Sequence, residues 1–424
     1  MKKDYSLETI LVHGEYEPRQ HNNARAVPIY QTSAFCYDST EHAASLFAME
    51  QPGFIYTRIN NPTVDEVEKR IALLEGGIGA VATSSGMAAV SGFIFNLLQP
   101  GDEILAANCL YGGSVGFLRD TLGTLGIKTK FVDPLDLEGL EAAITPQTKL
   151  VFIENLANPR LIVPDFLAVA QIAKKAQLPL VVDNTIATPY LSNPLEYGAD
   201  FVIHSCTKYM EGHGSIIGGI VVDGGTYQWQ EDKFPLLFET APGGKSFVEQ
   251  YGSLAFIMRM KNKVLMNIGG CMTPFNAFLL LHGLESLHVR MERHCQNASR
   301  LADFLANNSK ISWVCYPELT DHISHNNAKK YLRNYYGAML GFGIKGGYEA
   351  CRNFIDQVQL LSHCTNIGDT KTLVIHPAST THRMLSPEER LASGISDDFI
   401  RVSVGLENAD DLIREIENAL RNKK

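Results

Sequence analysis

The sequence predicts an α/β protein: a large domain on a mostly parallel, doubly wound sheet, then a smaller α+β domain at the C-terminal end. Three observations predict it. Short apolar runs ending in polar turns recur at Ile78–Thr83, Glu103–Ala107, Lys149–Glu154, Leu178–Val182 and Phe201–Ile203. Such runs read as strands buried on both faces, the mark of a parallel sheet. Stretches with apolar residues at helical spacing alternate with them, at Val64–Leu74, Met87–Leu97 and Ala168–Ala176. Finally, 424 residues exceed one simple core, and the texture changes beyond residue 300.

In chain order, residues 1–60 read as an irregular N-terminal arm with one short helix over Thr40–Met49. Asn61 can cap the next helix, Pro62 suits its first position, and Val64, Val67, Ile71 and Leu74 repeat along it until Gly76. Domains are expected at 1–60 (arm), 61–270 (large) and 271–424 (C-terminal). Residues 226–262, with Tyr227-Gln228-Trp229 and Pro242-Gly243-Gly244-Lys245, read as a loop insertion over the site. A long helix begins at Thr273-Pro274 and continues past Leu287 to Arg290, Arg293 and His294. Then come a helix near 297–307, strands near 311–315 and at Ala338–Ile344, and a helix near 348–360. Strands at Thr372–Ile375 and Ile400–Val404 precede a closing helix with Leu412, Ile413, Ile416 and Leu420.

Composition narrows the function. Net charge is −9 with no basic run, which argues against nucleic acid as a partner. No apolar run has the length to cross a membrane, and Met1–Tyr5 lacks the apolar core of a signal peptide. The eight cysteines are scattered without a C-x-x-C pair, against a zinc cluster and against a disulfide framework, so a reducing cytoplasm is expected. Cys206 alternates with Ser205 and Thr207 and is expected to point into the core. His376 and His382 have no ligand partner at metal spacing and read as turn and packing residues, so no metal is expected.

The candidate chemistry gathers at strand ends, where open α/β sheets bind ligands. Asp183 ends one apolar run, and Lys208 follows the next, 25 residues later. Alone the two could be a cap and a surface lysine. Ser205 and Thr207 flank the lysine with hydroxyls, and Gly212, Gly214, Gly218 and Gly219 follow it, which suits a phosphate dianion. That set is the arrangement expected for pyridoxal 5'-phosphate: a lysine for the aldehyde as a Schiff base and an acid for the pyridine nitrogen. Ser84-Ser85-Gly86-Met87 places free N–H groups at a helix start, a second seat for phosphate, though small residues also serve plain packing. Tyr111, in the turn Leu110-Tyr111-Gly112-Gly113, can lie over a flat heterocycle or be a plain turn residue. Asn158, before Pro159, is free to point into a cleft. Arg401, in a strand between Ile400 and Val402, can clamp a carboxylate with its planar fork or sit in an ordinary ion pair.

These motifs together resemble the Cys/Met-metabolism family of pyridoxal phosphate enzymes over roughly residues 8 to 420. The resemblance rests on Val27–Thr32, Tyr56-Thr57-Arg58 with Asn61-Pro62-Thr63, Ser84–Met87, Leu110–Gly113, Val182–Thr185, Ser205–Lys208, His376–Thr381 and Arg401–Gly405. It implies fold type I, the aspartate aminotransferase-like architecture. It implies Lys208 as the cofactor-bearing lysine, Asp183 at the pyridine nitrogen, and Ser85, Gly86, Met87, Ser205 and Thr207 around the phosphate. Tyr111 would stack on the ring and assist proton transfer, and Asn158 would contact the ring oxygen. Arg401, with Asn366 near it, would take the substrate carboxylate. Tyr56 and Arg58 would reach the phosphate of a neighbouring subunit, which implies a homodimer or a dimer of dimers.

Within the family the chain is most similar to the O-acetylhomoserine sulfhydrylase branch. Asn366–Asp369, the run from His376 to Ser386 and the extra length between Lys208 and Arg290 carry that likeness. The implied activity is γ-replacement, making homocysteine or methionine from O-acetylhomoserine and sulfide, a thiol or sulfur on a carrier protein. The alternative is a C–S lyase of the same family, but methionine γ-lyases tend to carry cysteine where Gly113 stands. Glu154–Ala157, Met210-Glu211 and the 230–262 loop depart from the expected patterns.

Overall fold

The predicted apolar runs form the middle of a seven-stranded sheet: β1 Gly79–Thr83, β2 Glu103–Ala107, β3 Lys128–Val132, β4 Thr148–Glu154, β5 Leu180–Asp183, β6 Phe201–His204 and β7 Gly219–Asp223. The computed structural model describes residues 5–381, 383, 386, 388, 390 and 394–421. Residues Met1–Asp4 and His382, Met384 and Leu385 of the motifs above lie outside these. Strand order is β1-β7-β6-β5-β4-β2-β3. All neighbours are parallel except β7, which runs antiparallel to both β1 and β6. β4 and β5 carry Leu150, Phe152, Leu180 and Val181 fully buried, which is why their sequence is apolar without alternation. β3 escapes a reading by pattern because it is the sheet edge, with the polar sequence Lys128-Thr129-Lys130 and no fully buried residue.

The helix Pro62–Glu75 starts and stops as its punctuation requires. Asn61 Oδ1 accepts the Thr63 N–H at 3.0 Å, and Gly76 takes φ 80° past the end. Val67 and Ile71, fully buried, pack this helix on β1. After β1, Ser85 caps the helix Gly86–Leu97 through the Ala88 N–H at 3.0 Å. This helix lies against β6 and β7. One glycine assigned to the phosphate has a packing reason instead. A Cβ on Gly219 would sit 2.1 Å from the Ser85 carbonyl, so Gly219 lets β7 pass beneath the start of that helix.

Two expectations need correction. The segment 226–262 does not cover the site. Trp229, Phe234 and Phe256 pack with Phe201 and Phe93, at centroid distances of 4.6 to 6.3 Å, on the flank of the sheet. Its glycines suggested a loop, but its aromatic residues decide its place. The long helix from Thr273 is two, Pro274–Glu285 and Leu287–Ala306, parted at Ser286. The first half of Leu287–Ala306 packs in the core of the large sheet, and its second half, from Ala298 on, in a second core.

That second core underlies a five-stranded sheet, β8 Ile311–Cys315, β9 Met339–Ile344, β10 Ser362–His363, β11 Leu373–Ile375 and β12 Phe399–Ser403, ordered β10-β11-β12-β9-β8. Only β10 and β11 are parallel. Helices Gly347–Gln357 and Ala409–Arg421 cover it. Arg401 sits at its centre, opposite Gly341 on one side and Ile375 on the other. Among the described residues no helix is long and apolar enough to cross a membrane.

Candidate active site

The ends of β4 and β5, the turn after β6 and the first turn of helix Gly86–Leu97 enclose a cavity of about 260 Å³. Every large-domain residue predicted for a site, from Ser85 to Lys208, lines it. The backbone approaches closely here: a Cβ on Gly86 would lie 2.6 Å from the Cβ of Ser205. The N–H groups of Gly86 and Met87 belong to the first helical turn, where donors have no acceptor within the helix. The Ser85 hydroxyl is committed to its capping bond. Thr207 Oγ1 and Gly218 exchange hydrogen bonds, 3.2 Å to the carbonyl and 3.0 Å from the N–H. Thr185 Oγ1 accepts the Ser205 N–H at 2.8 Å. The turn carrying the lysine is therefore fixed at both ends.

Lys208 Nζ donates to Asn366 Oδ1 at 2.5 Å, a contact between the two domains. Burial pushes the lysine below its usual range, and the Arg401 charge pushes the same way against a smaller opposing effect of Cys364. Arg401 donates to the carbonyls of Thr365 at 2.9 Å and Asn366 at 3.3 Å. No carboxylate accounts for the charge of either cation among the described residues. Asp183 Oδ1 accepts the Thr185 N–H at 3.0 Å, and removal from water raises its carboxyl. Tyr111 is half exposed over the cavity mouth. A Cβ on Gly113 would meet its ring at 2.5 Å. Asn158 reaches the cavity with its Oδ1 buried and unpartnered.

Tyr56 and Arg58 do not join this cavity. Both are exposed on the arm, with the Arg58 guanidinium 5.2 Å over the Tyr56 ring. Cys206 is fully buried and burial raises its thiol strongly, as expected of core filler. His376 bonds to Ser379 Oγ and to the Asp397 carbonyl, both at 2.9 Å. The cavity residues the sequence reading missed include Ser114, Asn155 and Thr185, and above all Glu154, which lines the wall beside Asp183. The signal was present, since Lys149–Glu154 is an apolar run ending in an acid just as Leu178–Asp183 is. Two others act on the lysine turn from behind. Arg290 donates to the carbonyls of Tyr209 at 2.7 Å and Met210 at 3.1 Å, and Glu211 accepts from the Ser215 hydroxyl at 2.7 Å.

An amine, an acid and a helix start around one slot, with an arginine of the second sheet joined to the amine through Asn366, define a class of protein. The family model for Cys/Met metabolism PLP-dependent enzymes matches residues 8–421. The chain belongs to that family of pyridoxal phosphate-dependent enzymes and has its fold type I architecture. It is 45% identical over 433 residues to the O-acetyl-L-homoserine sulfhydrylase of Leptospira meyeri, covering 100% of this chain and 98% of that one. It is 41% identical over 414 residues to the L-methionine gamma-lyase of Pseudomonas putida, covering 97% of this chain and 96% of that one. A solved structure described as an O-acetylhomoserine (thiol)-lyase from Campylobacter jejuni subsp. jejuni NCTC 11168, with N'-pyridoxyl-lysine-5'-monophosphate, matches with a TM-score of 0.95 at 37% identity. It covers 99% of this chain and 100% of that one.

Proposed function

We propose that this chain is a γ-replacement transferase that makes homocysteine and acetate from O-acetylhomoserine and sulfide. The observation that carries the reading is a buried amine, Lys208, with its proton affinity lowered, in one cavity with Asp183 and linked through Asn366 to Arg401. The residues fit pyridoxal phosphate. The close approach of Gly86 to Ser205 leaves a cradle a Cβ would fill, Asn158 Oδ1 is a buried atom in need of a partner, and two cations await anions. When bound, the cofactor supplies an aldehyde for the amine and a conjugated ring that accepts the electron pair left by proton removal.

The roles proposed for this chain's residues follow. Gly86 and Met87 N–H groups, with the Ser205 and Thr207 hydroxyls, hold the phosphate. Asp183 pairs with the ring nitrogen, and Asn158 with the ring oxygen. Tyr111 covers the ring by stacking. Lys208 Nζ would hold the cofactor aldehyde and is the base placed to take the substrate α-proton. Burial and Arg401 favour the neutral amine this needs. Arg401 orients the substrate carboxylate, with Asn366 between the two cations. Tyr56 and Arg58, outside their own cavity, complete the site of a second copy, making a dimer the smallest whole unit.

Gly113 favours the transferase over the lyase reading. A larger residue there would displace the Tyr111 ring from its present position. The test supplies O-acetylhomoserine with and without sulfide. Homocysteine formed only with sulfide supports the proposal, whereas 2-oxobutanoate and ammonia as main products would replace it with the lyase. Borohydride reduction followed by peptide mapping should place the cofactor on Lys208.

A further inference from the structure

Glu154 and Asp183 are register partners on β4 and β5, and both line the cavity. Glu154 is 5% exposed. Its Oε1 accepts the main-chain N–H of Tyr111 at 2.6 Å, and the N–H of Asn158 also stabilises its carboxyl. Tyr111 follows β2 and Asn158 follows β4, so one side chain joins the turns that leave two neighbouring parallel strands at the rim of the slot. Burial, and then the Asp183 charge, raise this carboxyl well above its usual range. A group that served packing alone would be apolar here, because a second acid beside Asp183 is costly to bury.

We infer that Glu154 is a positioning residue: its carboxyl oxygens hold the turns of Tyr111 and Asn158 at the spacing that grips the cofactor ring. The inference rests on the cofactor reading of the cavity. It makes length and two acceptors matter more than charge, so two mild variants separate the possibilities. E154Q keeps the length and one acceptor, whereas E154D keeps the charge and loses the reach.

The experiment titrates apo wild type, E154Q and E154D with pyridoxal 5'-phosphate. It records affinity, the visible circular dichroism of the bound cofactor and the melting of each apo form. For E154D the expected result is roughly tenfold weaker binding and loss of most of the visible band, as fits a buried hydrogen bond removed. E154Q should bind within about threefold of wild type, with a band reduced but present. Binding by E154D equal to or tighter than E154Q overturns the inference, because charge would then be what matters. An E154Q band identical to wild type overturns it too, and decides the matter if E154D does not fold. Failure of wild type to bind the cofactor would instead sink the reading of the cavity itself.

Discussion

Two layers of polar side chains end the same strands, and they are built oppositely. The layer facing the cavity, Glu154, Asp183 and the Ser205–Lys208 turn, presents groups toward open space. The layer beneath is a buried network that reaches the cavity only at Asn155, and it leaves Glu75 Oε2, His204 Nδ1, Asn155 Oδ1 and the Ser192 hydroxyl without a hydrogen-bond partner among the described residues. Asn155 donates to Asn184 at 2.9 Å, and Asn184 donates to Glu75 at 2.9 Å and to the Ser192 carbonyl at 2.9 Å. His204 meets the same Glu75 oxygen at 2.6 Å, with both residues fully buried. The alternation of strand side chains puts members of both layers side by side in sequence, as in Asp183-Asn184 and His204-Ser205. Polarity at a strand end therefore does not by itself mark chemistry. Access separates the two, since Asn184, Glu75 and His204 are buried away from the cavity, whereas Glu154, Asp183, Ser205, Thr207 and Lys208 line it and can meet a ligand.

Breaking one layer should leave the other standing. The largest effect belongs to Lys208→Ala, which should lower kcat/KM by about a thousandfold or more while the melting temperature of the apo protein stays near wild type. Steady-state assays beside thermal melts check this, and a variant active without added amine would remove Lys208 from the chemistry. The mirror experiment is Glu75→Ala. It strips His204 and Asn184 of their common acceptor and should cost about 3–5 kcal/mol of stability, read from denaturant unfolding. Protein that remains folded should keep the visible spectrum of the bound cofactor. A spectrum altered in proportion to lost stability would mean the layers are one unit.

The comparison also shows what the sequence could reveal. The strands at the sheet centre were legible because burial on both faces removes all but apolar residues, and the helix Pro62–Glu75 because a cap, a proline and a glycine mark its ends. Asp183 and Lys208 stood out as polar residues ending such runs. Glu154 has the same signature, but the bond that gives it a role, from the Tyr111 N–H 43 residues earlier, leaves no local mark in the sequence. The partnership of His204 with Glu75 spans 129 residues of sequence, and no local pattern reports it. β7 was hidden because its glycine entry reads as part of a phosphate turn. The aromatic segment around Trp229 was misplaced because glycine content says loop, but not which surface the loop covers.

Arg401 tests whether the upper layer extends into the second domain. Among the described residues its guanidinium donates only to main-chain carbonyls, so Arg401→Ala removes an anion clamp without leaving a buried acid unpaired. KM for O-acetylhomoserine should rise roughly tenfold to a hundredfold with a smaller change in kcat, the pattern of lost binding common to ground and transition states. Unchanged kinetics with the amino-acid substrate would confine the upper layer to the large domain.

The smallest effect sharpens the comparison through pH. In the apo protein Glu154 and Asp183 both have carboxyls raised above the ordinary range, chiefly by burial. A raised carboxyl binds its proton more tightly folded than unfolded. The stability it contributes is therefore fully present below the unfolded value, about pH 4, and is lost as pH rises through the folded value. The apo melting temperature should accordingly fall as pH is raised from about 5 to 8, by roughly 2 °C per kcal/mol lost. E154Q removes one of the two titrating groups and should flatten part of that fall. Saturating cofactor should flatten more of it, because a cationic ring nitrogen at Asp183 favours the charged carboxylate that high pH otherwise forces into an unpaired site. An apo protein whose melting temperature rises over this range, in both wild type and E154Q, would show that these two carboxyls are not raised in the folded protein.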